Sequence, residues 1–140
     1  MTDATADTIA HILDNYKTIA VVGLSPKSHR DSYEVAEYMQ KQGYRIVPVN
    51  PAAGVSEILG EKVYPSLIDA AKHEQIDLVD VFRNSPDVPP VVDEAIAIGA
   101  KAVWMQLGIE HPQAADKARN AGLAVVQNKC LLIEHRRQGK

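Results

Sequence analysis

Two hydrophobic rhythms alternate along this chain. The first is a short continuous apolar run. Thr18-Ile19-Ala20-Val21-Val22 shows it most clearly, and β-branched side chains without polar interruption suit a strand covered on both faces. Similar runs recur at residues 44–49 (YRIVPV), 77–82 (DLVDVF), 102–107 (AVWMQL) and 123–127 (LAVVQ). The second rhythm has helical spacing. Ile9, Ile12, Leu13 and Tyr16 form one stripe, Val35, Tyr38 and Met39 a second, and Val88, Val91, Val92, Ala95 and Ile96 a third. Helices are therefore expected over residues 3–17, over 32–42 with Gly43 as the stop, and before Gly99, with Pro89 and Pro90 in a first turn that tolerates proline. Ser66 caps a short helix to about residue 72, Pro112 opens another that ends near Gly122, and residues 131–137 suit a last short one. Residues 57–64 read as loop with a short extended piece.

Strand and helix patterns that alternate throughout predict an α/β fold, a Rossmann-like doubly wound parallel sheet of about five strands in one domain spanning residues 1–140. The expected strand order is 3-2-1-4-5. Two residues sit awkwardly in it. Pro48 cannot donate to a ladder and suggests an irregular strand end. Asp80 inside an apolar strand marks either an edge position or a hydrogen-bonded buried carboxylate.

Ligands of such sheets bind beyond the carboxyl ends of the strands, where the order reverses, which places the loops after strands one and four nearest the ligand. The turn after strand one is the richest. Gly23 permits a tight turn, and Ser25-Pro26-Lys27-Ser28-His29-Arg30 brings hydroxyls and two permanent cations to a helix start capped by Asp31 or Ser32. Asp31 and Glu34 resemble a capping box. The other strand ends add Asn50 and Pro51; Arg83, Asn84 and Ser85; Gln106 and Gly108; and Asn128 with Cys130. Gln106, a polar residue ending an apolar run, is expected to face the crevice, and Trp104 to lie in the core. This rim has amides, hydroxyls and cations but no carboxylate pair, no Ser-His-Asp arrangement and no metal-ligand spacing. His11, His29, His73, His111 and His135 are scattered and read as solvated surface. The rim is thus expected to bind a phosphorylated small molecule, with no catalytic or metal-ligating residue. A nicotinamide dinucleotide fits less well. Gly23 is not followed by the G-x-G-x-x-G pattern, and strand two ends in Asn50 where a ribose-binding carboxylate is wanted.

Net charge of −3 excludes a general nucleic-acid surface, so the basic site must be local. A single cysteine excludes an internal disulfide, no apolar run is long enough to span a membrane, and the N-terminus lacks a secretion signal, so a cytoplasmic location is expected.

Five segments together carry a family resemblance: VVGLSPKSHRDSYEVAEYM, VPVNP, the G-x-x-VYPSL run from Gly60 to Leu67, AIGAKAVWMQLGI and AGLAVVQNKC. Across residues 18–130 the chain resembles the small stand-alone coenzyme A-binding proteins and the N-terminal coenzyme A-binding domain of succinyl-CoA synthetase alpha subunits. The resemblance implies that Ser25, Pro26, Lys27 and Ser28 hold the coenzyme's phosphates, that Asn50-Pro51 forms the second ligand loop, and that Met105, Gln106 and Leu107 form the fourth. Pro26 stands where the synthetase turn has glycine. The synthetase's second domain, with its phosphorylated histidine, lies beyond the end of this sequence, so ligase activity is not expected. The resulting expectation is binding of coenzyme A or an acyl-CoA without catalysis. The alternatives are a small acyl-CoA-transforming enzyme using Cys130 or His135, and an NAD- or nucleotide-sensing module.

Overall fold

The computed structural model describes residues 5–139. Asp3 and Ala4, the expected start of the first helix, lie outside them. Five parallel strands form the central sheet: β1 (Thr18–Val22), β2 (Arg45–Val49), β5 (Leu78–Val81), β6 (Ala102–Met105) and β7 (Ala124–Val126). A small antiparallel hairpin, β3 (Glu57–Ile58) and β4 (Glu61–Lys62), follows β2 in the segment expected to be loop with an extended piece. Six helices complete the fold: α1 (Ala6–Asn15), α2 (Asp31–Lys41), α3 (Leu67–Ala71), α4 (Val88–Ala97), α5 (Pro112–Asn120) and α6 (Leu131–Arg137). None is long and apolar enough to cross a membrane.

Because side chains alternate across a strand, β1 divides its burial between two faces. Ile19 and Val21 pack with Ile12, Leu13, Met39 and Leu131 from α1, α2 and α6. Ala20 and Val22 pack with Leu67, Val92 and Ala118 from α3, α4 and α5. The Rossmann-like parallel sheet expected from the alternating pattern is therefore present, with helices on both faces.

The five full strands run β2-β1-β5-β6-β7, so residues 78–81 lie beside β1. The place outside β2 is taken by the segment around Tyr64, which bridges Val49 in parallel. Counted as a rudimentary third strand, that segment restores the 3-2-1-4-5 pattern, with residues 78–81 in the fourth place and not in the third. Pro48 supplies the physical reason. It pairs with Val21 in a regular strand, not at an irregular end, and its carbonyl accepts from Tyr64 N–H on the side away from β1. Its ring nitrogen faces that same outer side, where a fully paired strand would need a donor. Asn50 N–H donates to the Tyr64 carbonyl at 2.9 Å, so a single bridge closes this edge. The chain then crosses through α3 to the other side of β1. That move sets the reversal point at the crevice between β1 and β5.

Asp80 consequently lies in a central strand, paired with Val21 and Trp104, and is fully buried. Of the two readings left open, the buried hydrogen-bonded carboxylate is the one realised. Its Oδ1 accepts from Gln106 Nε2 at 2.6 Å, and Oδ2 has no partner. Burial pushes its pKa up to about 7, with the Gln106 hydrogen bond acting the other way.

Candidate functional site: a cation-lined cleft at the strand ends

Where the strand order reverses, the loops after β1 and β5 diverge and leave a cleft of about 810 Å³. Its volume falls in the range of small-molecule sites. Gly23 opens it. Its φ is +91°, a left-handed conformation, and a Cβ built there would overlap the Phe82 carbonyl oxygen. Only glycine lets the β1 and β5 exits lie this close. Gly23 N–H also donates to the Val49 carbonyl at 2.8 Å, tying the turn to β2.

The loop beyond Gly23 is held by its own hydroxyls. Ser25 N–H donates to Ser32 Oγ at 3.0 Å, and Lys27 N–H donates to Ser25 Oγ at 3.1 Å. Neither Asp31 nor Ser32 caps α2, contrary to expectation. Ser32 already accepts from Ser25, Asp31 is the first helical residue, and the cap residue is Arg30, whose guanidinium has no acceptor to offer the helix amides. The capping box with Glu34 does not form either. The first amides of an 11-residue helix thus remain free of side-chain caps beside the cleft. That arrangement suits a bound anion.

Lys27, His29 and Arg30 line one wall, Arg83 the other. Among the described residues, Lys27, Arg30 and Arg83 make no ion pair with a carboxylate. Asp31 is the one acidic residue of the lining. Three unpaired cations, an uncapped helix end and two turn hydroxyls form a donor set for phosphate oxygens.

Of the residues singled out in the sequence, the cleft brings together Gly23, Ser25, Pro26, Lys27, Arg30, Asp31, Ser32, Asn50, Arg83, Asn84, Ser85 and Gly108. Asn50 is at the wall with both polar atoms engaged locally. Its Nδ2 donates to the Leu24 carbonyl at 2.9 Å and its Oδ1 accepts from Ala52 N–H at 2.9 Å. Ser28 is exposed outside the lining, and Pro51 lies on a neighbouring notch. Met105 is fully buried in the core, whereas Leu107 is 66% exposed outside the cleft. Gln106 does not face the crevice. It is 3% exposed, bonded to Asp80, and its Oε1 accepts from Leu131 N–H at 3.4 Å. Asn128, at φ +57°, accepts from Gly108 N–H through Oδ1 at 2.6 Å and shapes the β6 loop from behind. The loop after β6 reaches the cleft only through Gly108 and Ile109, so the emphasis on residues 105–107 moves to the β5 loop, Phe82 to Ser85.

Sequence reasoning missed His29, whose context reads as solvated surface, and Ala52, Ala53, Phe82 and Ile109. It also misjudged His135. That imidazole is 3% exposed, and its Nδ1 lies 2.8 Å from Tyr38 Oη, joining α6 to α2. Cys130 is half-buried at the start of α6 and packs against the core. Trp104 is fully buried, as expected, and donates to the Lys129 carbonyl at 2.8 Å. Among the described residues no three His, Cys, Asp or Glu side chains are grouped to hold a metal ion.

A doubly wound parallel sheet with a cation-lined cleft at its reversal point defines a Rossmann-like protein. The chain belongs to the CoA binding domain family, whose pattern it matches over residues 17–136. It is 39% identical over 129 residues to the uncharacterized protein YneT of Bacillus subtilis (strain 168), covering 91% of each chain. It is 30% identical over 128 residues to the alpha subunit of acetate–CoA ligase [ADP-forming] I of Pyrococcus furiosus; the match covers 81% of this chain but 27% of that longer protein. A solved structure of a hypothetical protein from Pyrococcus horikoshii OT3 superposes with a TM-score of 0.90 at 41% identity, covering 98% of this chain and 94% of that one.

Proposed function

We propose that the cleft binds coenzyme A or an acyl-CoA and that the chain performs no catalysis of its own on it. The observation that carries this reading is the set of three unpaired cations around the uncapped start of α2. Coenzyme A presents a diphosphate and a separate ribose 3′-phosphate. The α2 amides with Lys27 and Arg30 on the same wall suit these phosphate groups, and Arg83 faces them from the other wall. The ligase relative's name and the family description point to the same coenzyme. NAD has a single diphosphate and wants a carboxylate for its ribose at the end of strand two. Asn50 occupies that place with its side chain already engaged, which disfavours NAD.

The absence of catalysis rests on the lining itself. His29 and Asp31 are its only imidazole and carboxylate, and both are exposed on the phosphate wall. His135, one of the residues an enzymatic alternative would use, is buried against Tyr38.

Titration calorimetry tests the assignment. Coenzyme A is expected to bind more tightly than NAD and than 3′-dephospho-coenzyme A. Lys27→Ala should weaken coenzyme A binding by about tenfold, the loss of one charge-assisted hydrogen bond. Lys72→Ala, which removes an exposed partner of Asp69 far from the cleft, should change nothing. NAD binding as tight as coenzyme A, or an unaffected Lys27→Ala protein, would overturn it.

A further inference from the structure

Beside the cleft, on the opposite face of the sheet, lies a smaller notch of about 120 Å³. Its walls are Val22, Val49, Pro51, Leu67 and Val91, and Arg83 is shared with the cleft. Val22, Val49, Leu67 and Val91 belong to the core that faces α3 and α4, whereas the phosphate wall belongs to α2. Cleft and notch therefore meet across the carboxyl rim of the sheet, at the step from Val22 to Gly23. Glu94 completes the notch, with Oε1 accepting from the amides of Leu67 and Ile68 at 3.0 and 3.3 Å. Its carboxylate is thus committed to the start of α3.

We infer that this notch is the acyl subsite of the protein, taking a short uncharged acyl chain of a coenzyme A thioester. The inference rests on the coenzyme A reading of the cleft and extends it. A ligand whose phosphates sit at α2 sends its pantetheine arm along the rim past Arg83, and the first apolar recess it meets is lined by valine, leucine and proline. At the ~30 Å³ that a water takes in the liquid, the recess holds roughly four methyl-sized groups. It covers an acyl chain of about four carbons and leaves the outer carbons of a longer one unburied.

The test is calorimetry with free coenzyme A and its acetyl, butyryl and octanoyl thioesters. Burial of each methylene should improve affinity by roughly fourfold. Butyryl-CoA is expected to bind at least about tenfold more tightly than coenzyme A, with octanoyl-CoA gaining nothing further. Val91→Phe fills the recess, and the butyryl-to-free ratio should drop to near one. The length series on the unaltered protein stands even if that variant fails to fold. Tight coenzyme A binding with a flat series, or a preference that rises through octanoyl, overturns the acyl subsite alone. No binding of coenzyme A removes the reading beneath it and this inference together.

Discussion

Replacing Asp80 with asparagine is expected to abolish a pH-dependent loss of stability that the native protein suffers between about pH 4 and pH 7. The carboxyl titrates near 3.8 when unfolded and near 7 in the folded protein, because burial disfavours its charge. The folded state holds the proton over that window and the unfolded state releases it, so rising pH favours unfolding by up to about 1.4 kcal/mol per unit. Above pH 7 both states are ionised and the penalty stays constant. Across the window the native protein forfeits several kcal/mol, at most about 4. The asparagine side chain has no charge to lose. An amide in place of the unpartnered Oδ2 shifts stability by a constant amount, but the two curves should diverge with pH. Urea unfolding at pH 4 and pH 8 measures it: the stability difference, variant minus native, should rise by several kcal/mol between the two. Parallel curves would show that Asp80 is ionised in the fold or titrates as in water.

Gly23→Ala should be the most damaging single-methyl change in the cleft. The left-handed φ costs a non-glycine residue about 1–2 kcal/mol, and the overlap with the Phe82 carbonyl adds about 1–3 more. A loss of about 3 kcal/mol or more is expected, with coenzyme A binding reduced because the β1 and β5 exits must separate. Gly108→Ala separates the two contributions. Gly108 has φ +84° but open space around its Cβ position, so only the backbone part applies. Denaturation midpoints of the two variants decide the point. Equal losses would mean that the Phe82 contact yields without cost.

Gly23 and Asp80 illustrate what a linear reading reaches. Glycine between an apolar run and a polar loop announces a turn, and Lys27 and Arg30 announce a local concentration of positive charge, because both signals are local in sequence. Asp80 announces only that something is unusual. Its partner Gln106 lies 26 residues away, and nothing in either residue says that they meet. Gln106 misleads for the same reason: a polar residue at a strand end faces solvent or a buried partner according to what packs beside it. His135 depends likewise on Tyr38, which is 97 residues distant.

Sequence alone determined the main elements, the parallel sheet and the cation-rich loop after β1, since periodicity, glycine punctuation and local charge follow from neighbours along the chain. Which segment lies beside which was decided in three dimensions. One local clue existed, because Pro48 marks β2 as a strand without a full neighbour on its outer side. What occupies that edge, the segment around Tyr64, pairs through backbone groups that every sequence possesses. With the order went the position of the cleft. Arg83 faces Lys27 only because β5 lies beside β1, and the approach of those two strands depends on the missing side chain at Gly23.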